Sequence, residues 1–373
     1  MGTAYVPGLK VLEKTKLRLE RRLPLKGRVT VRAGQRVSCD QVVAETEIPG
    51  RVEMINVAAR LGLEARDVPS HMLCRVGDFV RQEQNLALGD GFFGLFKADL
   101  PAPISGTLES VSDVSGQAVL RAPALTVAVK AYVDGTVSEI LGDEGVIVET
   151  CGALVQGIFG IGGESSGPLR CAAAGPADIL RPEQLRPEDR GAVVIGGSLV
   201  TLPVLRRAAE LGVSGLVAGG IDDETLREFL GYDLGVAITG SEKLGLTLIV
   251  TEGFGPIAMA DRTFALLKKH EGERASISGA TQIRAGVIRP EIIIPGRDGD
   301  GAEADAPAEL SLSVGTAVRL IRQPNFGALA HVRALPSELT LIPTGARVRV
   351  AEVELADGTV MVVPRANLEI ISA

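Results

Sequence analysis

Residues 31–44 read VRAGQRVSCDQVVA, and residues 74–87 read CRVGDFVRQEQNLA. A glycine, a valine three places on, a glutamine four beyond it and a closing alanine recur in step: Gly34, Val37, Gln41 and Ala44, then Gly77, Val80, Gln84 and Ala87. A second small repeat lies nearby, Gly106-Thr-Leu-Glu-Ser-Val111 being echoed by Gly135-Thr-Val-Ser-Glu-Ile140. Each reads as a turn glycine feeding a half-buried strand, since glycine takes left-handed backbone at no steric cost. Runs such as QVVA, AVLRA and LTVAVKAYV alternate with Gly, Pro and Asp in the same region, so residues 1–170 are expected to be all-β.

The chain has 373 residues, 46% of them hydrophobic and 23% charged, which suits several packed cores. A net charge of -7 argues against nonspecific binding of nucleic acid over the whole surface. No run of about 18 apolar residues is present and the first residues lack the apolar stretch of a signal peptide, so a cytoplasmic protein without membrane insertion is expected. Cys39, Cys74, Cys151 and Cys171 show no metal-ligand spacing, and with His71, His270 and His331 as the only histidines neither a zinc site nor a disulfide framework is indicated.

From about residue 190 the pattern changes. AVVIGG leads into TLPVLRRAAELG, GLVAGG into DDETLREFLG, and LTLIVTEGFG into MADRTFALLKKHEG. Thr201 and Asp222 are candidate N-caps, while Gly212, Gly231 and Gly272 sit where helices stop. Strands alternating with helices over 190–295 predict a small, mainly parallel α/β sheet. Residues 296–309, GRDGDGAEADAPAE, read as a flexible acidic linker. Residues 311–373 return to short strands with an Asp357-Gly358 hairpin turn, which suggests a small closed barrel. The expected fold class is therefore multidomain, α/β plus all-β.

The paired half-motifs, together with Leu23-Pro-Leu-Lys-Gly27 and the closing Pro101-Ala-Pro-Ile-Ser-Gly-Thr107, resemble the barrel-sandwich hybrid of biotinyl and lipoyl carrier domains, the Rnf complex C subunit and the large RNA polymerase subunits. The resemblance covers residues 20–150 and implies fold more than function. Carrier domains of that family attach their cofactor to a lysine at a hairpin tip. The matching position here is Leu95, with Lys97 two residues away, so covalent biotin or lipoate is not expected and no other cofactor is indicated. Residues Val314 to Val332 look like the KOW motif of NusG, with Gly327 at its turn, and residues 347–371, RVRVAEVELADGTVMVVPRANLEII, continue as an SH3-like barrel. The domain order is similar to that of bacterial KOW-containing proteins, which implies no activity. Phe326 is the sole aromatic of that motif, and Arg319, Arg322, Arg333, Arg347, Arg349 and Arg365 are nearly balanced by Glu338, Glu352, Glu354, Asp357 and Glu369. Stacking and phosphate neutralisation are both weak, which points the barrel toward protein contact.

In an open α/β sheet, ligands sit beyond the carboxyl ends of the strands. Those ends carry Gly197, Ser198, Gly220, Gly240, Ser241, Glu252 and Gly253, which can line one crevice or merely turn strands into helices. They match neither G-x-G-x-x-G nor the P-loop. Arg284 and Arg289 can hold a carboxylate or phosphate, or tie their segment to another domain through buried pairs with Glu242, Glu252 or Glu291. Gly157 to Glu164 reads as a loop over the crevice or a tight turn. Residues 10–28 hold eight basic residues against Glu13 and Glu20, an arm for an acidic partner, RNA or an anionic membrane face, or a solvated edge strand. No nucleophile-and-base set is found. The leading expectation is a non-catalytic modular adaptor or assembly factor with a protein partner. The rivals are an enzyme or enzyme subunit binding an anionic small molecule or nucleotide at the crevice, and RNA or ribosome association through the last barrel.

Overall fold

The computed structural model describes residues 9–89, 98–232, 242, 244–282, 288–296, 312–320, 325, 328–341, 347–355 and 357–370. The chain is mostly β, and its sheets curl into half-barrels. Among the described residues no helix is long and apolar enough to cross a membrane.

One twelve-stranded sheet runs through most of the molecule. Its parallel centre is Glu164–Cys171, Val193–Ile195, Gly215–Ile221 and Thr247–Phe254, each beside its predecessor in the chain. Phe159–Ile161 closes one side antiparallel to Thr247–Phe254. On the other side Arg274–Ser278, Glu291–Pro295 and Gly145–Gln156 continue the ladder antiparallel, so hydrogen bonding is unbroken across residue 170. The run Gly157 to Glu164 thus builds a strand, not a loop. Ile158, Phe159 and Ile161 are buried there, and a Cβ at Gly157 would crowd Ile249.

The parallel strands are apolar on both faces because helices cover both. Val194, Leu216, Ala218, Leu248 and Val250 pack with Val204, Leu205, Ala208 and Leu226 from the helices Leu202–Leu211 and Asp223–Leu230. Their alternates Val193, Ile195, Val217 and Ile249 pack with Phe264, Leu266 and Leu267 of the helix Asp261–Lys269. Gly212 and Gly231 end their helices at φ 73 and 78, as their positions predict. Thr201 and Asp222 precede the helices without a side-chain cap bond, and Pro203 sits in the first turn of the former, where its missing N–H removes one amide that would need a partner.

The two copies of the opening pattern fall in two different cores. The first lobe is one end of the twelve-stranded sheet, Arg36–Val37, Gly135–Ile140, Gly145–Gln156 and Val11–Arg22, and its core of Val37, Val137, Val146 and Val148 also takes in Leu154 and, from the next strand, Ile293. The second lobe is a four-stranded sheet, Phe79–Val80, Gly106–Val111, Gln117–Arg121 and Val52–Asn56, over its own core of Ile55, Val80, Leu108, Ala118 and Leu120. Two paired strands, Val42–Ile48 and Leu125–Lys130, lead out to it and back.

Bond by bond the lobes agree. Val37 stands opposite Gly135 and Arg36 opposite Thr136; Val80 stands opposite Gly106 and Phe79 opposite Thr107. Gly34 N donates to Val137 O at 2.7 Å, and Gly77 N donates to Leu108 O at 2.8 Å. Both glycines have positive φ, 80 and 98. Ala131 N donates to Gln41 O, and Ala102 N to Gln84 O, each at 2.8 Å. A register shift follows Val137 in one lobe and Leu108 in the other, two residues after the turn glycine in each case.

The C-terminal region forms a six-stranded sheet, Leu339–Leu341, Arg347–Leu355, Leu329–Ala334, Ala317–Leu320 and Leu368–Ile370 with Val360–Pro364 beside Arg347–Leu355. Its core of Val318, Leu320, Ala330, Val332, Ala351 and Val353 is its own. All but Gly296 of the expected linker lies outside the described residues.

Candidate functional site

The glycines at the carboxyl ends of the parallel strands meet the chain's own backbone. A Cβ on Gly197 would overlap the carbonyl O of Asp178, and one on Gly220 would overlap that of Gly255. Ser198 is committed too: its N donates to Asp178 O and its Oγ to Ala177 O, at 2.8 and 2.9 Å. Gly219 meets Ile257 in the same way, and Gly253 pairs with Gly220 in the ladder. Segments 175–178 and 255–259 therefore fill the space where a nucleotide would lie, and the missing side chains let them in. Gly240, Ser241 and Arg284 lie outside the described residues, as do Leu95 and Lys97.

Glu252 and Arg289 are brought into one buried chain of charges. Glu252 Oε1 accepts from Ala260 N at 3.1 Å, at the start of the helix Asp261–Lys269, and Oε2 accepts from Arg319 at 2.8 Å. Arg319 also donates to Glu369 at 3.2 Å, and Glu369 accepts from Arg289 at 2.8 Å. Arg319 and Glu369 belong to the C-terminal sheet, so the chain of four joins it to the α/β layer. Burial raises the Glu369 carboxyl from its ordinary value against the pull of Arg289 and Arg319, and it lowers the Arg289 guanidinium. Arg319 Nε is buried without a hydrogen-bond partner among the described residues. The cleft beside this chain, lined by Leu9, Gln156, Thr251, Glu252, Arg262 and Arg319, has a volume of about 40 Å³. At 10–15 Å³ each, that is room for about three waters and far below the space a nucleotide needs.

A second polar cluster lies where the first lobe meets the large sheet. Arg21 forms a double hydrogen bond with Glu164, at 2.7 and 2.6 Å, donates from Nε to Lys130 O at 2.8 Å, and sits 5.2 Å from the Tyr132 ring centre. Tyr132 is buried at φ 72, a strained conformation for a side-chain-bearing residue, and its hydroxyl lacks a hydrogen bond of good geometry among the described residues. Burial, then Glu164, raise the Glu291 carboxyl, while Tyr132 and Arg21 draw it back. Glu291, an expected partner of Arg284 or Arg289, faces Tyr132 instead. Glu242 accepts from Gly162 N at 3.0 Å.

Six of the eight basic residues of the arm, Lys16, Arg18, Arg21, Arg22, Lys26 and Arg28, are paired within the chain. Val11–Arg22 lies antiparallel to Gly145–Gln156, and Lys16 and Arg18 pair with Glu149 at 2.8 and 3.1 Å. Arg22 pairs with Glu20 and Glu144, Lys26 with Asp143, and Arg28 with Glu45.

No family model matches the chain, and no curated protein matches it significantly.

The surface that sequence reading missed is the outward face of the second lobe. Val52, Met54 and Phe79 are exposed there by 45%, 69% and 56%, with Val119 opposite Met54, and with Thr107 and Arg121, which pairs with Glu109, between Val52 and Phe79. In the first lobe the same register positions carry Arg18, Glu20 and Arg36, with Ile147 in the place of Val119. The only sequence signal was the change of residue type at matching steps of the repeat, Arg36 against Phe79.

Proposed function

We propose that the chain is a non-catalytic modular adaptor or assembly factor that holds a protein partner on the outward face of its second lobe. The contrast between the lobes carries this reading. One backbone design is presented twice, and where the first copy carries Arg18, Glu20 and Arg36 the second carries Val52, Met54 and Phe79 around a single ion pair of Arg121 with Glu109, as a mixed, mostly apolar face that is covered in use would be. The closure of the α/β crevice by the chain's own backbone supports it, because an enzyme of the rival kind needs that space. On this reading the two lobes are variants of the barrel-sandwich hybrid, the last sheet is a KOW-like SH3 barrel, and the protein works in the cytoplasm.

The test gives the second lobe the first lobe's face: Val52→Arg, Met54→Glu and Phe79→Arg together. Wild-type protein purified from its own cells at low salt should carry a stoichiometric protein partner, and the variant should lose it while melting as before. A wild-type protein recovered alone, or a partner retained by the variant, overturns the proposal.

A further inference from the structure

The C-terminal sheet ends on Leu339–Leu341, which pairs only with Arg347–Leu355 among the described strands. All three of its residues are exposed, Leu339 by 57% and Leu341 by 65%. An end strand with bare leucines is the kind that proteins normally blunt with lysine, proline or a covering loop. The cross-strand partners are cationic: Leu339 stands opposite Arg349 and Leu341 opposite Arg347. Opposite residues of an antiparallel pair share a face, so two leucines and two guanidiniums form one patch. Neither arginine has an ion pair among the described residues, whereas Arg319, Arg333 and Arg365 of the same sheet are engaged by Glu252 and Glu369, by Glu354, and by backbone carbonyls. Two arginines without an ion pair among the described residues, beside a strand with one described neighbour, stand out in a chain of net charge -7.

We propose that the Leu339–Leu341 edge is a second docking surface, taking an extended acidic peptide segment of a protein partner as an added strand. Main-chain hydrogen bonds to the edge that no described strand occupies would give affinity. Acidic residues at alternate positions would meet Arg347 and Arg349, and the apolar residues beside them would cover Leu339 and Leu341. Charge complementarity selects this occupant. RNA is the poorer fit, because the patch offers aliphatic side chains where a nucleobase needs an aromatic or guanidinium plane backed by several phosphate contacts. The inference stands independently of the second lobe, whose partner can be lost without disturbing this edge.

Full-length protein would be titrated with a labelled peptide of about ten residues alternating glutamate and leucine, with the same peptide carrying lysine for glutamate, and with an oligouridylate of similar length. The acidic peptide should bind saturably, and binding should weaken by about tenfold or more in Arg347→Glu/Arg349→Glu and as salt rises. Leu339→Ser/Leu341→Ser, which keeps the charges, should also weaken it, so that electrostatics alone cannot mimic the result. Both variants change surface positions and should melt with the wild type. Absence of saturable binding, equal binding of the lysine peptide, preference for the oligouridylate, or full binding by either variant overturns the proposal.

Discussion

The two lobes share their turn glycines, their core valines and leucines, and the place of the register shift, yet they differ on both faces of the sheet. Outside, Arg18, Glu20 and Arg36 of the first lobe stand where Val52, Met54 and Phe79 stand in the second. Inside, Arg21 stands where Ile55 stands, because Arg21 pairs with Val146 and Ile55 with Ala118 at matching steps of the ladder. The difference separates what the backbone requires from what the surroundings permit. Glycine at a left-handed turn and a small residue under a crossing carbonyl are conditions of the fold. Arg21 is tolerated because Glu164 and Glu291 face it, whereas the described residues packed with Ile55 in its core are apolar.

The most damaging way to break the comparison is therefore to exchange the two interior residues. Ile55→Arg buries a guanidinium in a core of Val57, Leu86, Leu108 and Leu120 without a carboxylate, and should cost about 4 kcal/mol. Amide exchange should rise through residues 52–121 while the large sheet keeps its protection. Arg21→Ile fits the space of a residue already packed on Tyr132 and should cost less, about 2 kcal/mol, most of it from leaving Glu164 and Glu291 facing each other. Equal costs would mean that Glu164 and Glu291 are not what permits a charge at Arg21.

Next in size is the glycine at which each lobe crosses a neighbouring strand. A Cβ on Gly106 would overlap Arg121 O, and one on Gly135 would overlap Glu149 O. Gly106→Ala and Gly135→Ala should each cost about 3 kcal/mol, measured by denaturant unfolding. Their reach should differ. Loosening from Gly106 should stop at the paired stalk strands, whereas loosening from Gly135 should spread into Gly145–Gln156 and Glu291–Pro295, whose Leu154 and Ile293 complete the first lobe's core.

Much of this was legible in the sequence, for reasons that fix its limits. The repeat at Gly34 and Gly77 and its echo at Gly106 and Gly135 could be seen because turn and crossing positions demand glycine itself. Strand and helix alternation in the α/β region was visible because both faces of those strands are apolar. The division of the copies between two cores was not visible, since the same half-motif serves one barrel or two and only long-range pairing decides. Arg289 and Glu252 could be picked out as costly residues to bury, but Arg319 and Glu369, which complete their charge chain, lie some 30 and 80 residues beyond Arg289 in a segment read as a surface barrel. The glycines of Gly197 and Gly220 gave the right backbone permissiveness for a ligand, and the chain's own segments use it.

A gentler test uses pH. The Glu291 carboxyl is raised in the folded chain, chiefly by burial, so between its ordinary range near pH 4.3 and its raised value the native state holds a proton that the unfolded chain has released. Its contribution is greatest below that range and is lost as pH rises through the raised value. Glu291→Gln should flatten the fall in melting temperature over that window, and Arg21→Ile should steepen it, because Arg21 is one of the groups drawing the carboxyl back. Ile55 has no such neighbour, so substituting it should leave the slope unchanged. A slope unaltered by Glu291→Gln would mean that burial does not set the titration of this carboxyl in the folded chain.

The smallest expected effect on stability is the most informative about function. Arg18→Val, Glu20→Met and Arg36→Phe together place the second lobe's outward face on the first. Exposed residues away from caps and cores usually change stability by no more than about 0.5 kcal/mol, and surface ion pairs such as Arg18 with Glu149 contribute little. The melting curve should barely move. Sedimentation should nevertheless change, since the molecule then carries the same three apolar residues on two outward faces: either the partner of the second lobe binds at two sites, or the variant associates with itself. Unchanged sedimentation with and without the partner would mean that recognition depends on something the backbone of the second lobe alone supplies, and that Val52, Met54 and Phe79 are not what the partner reads.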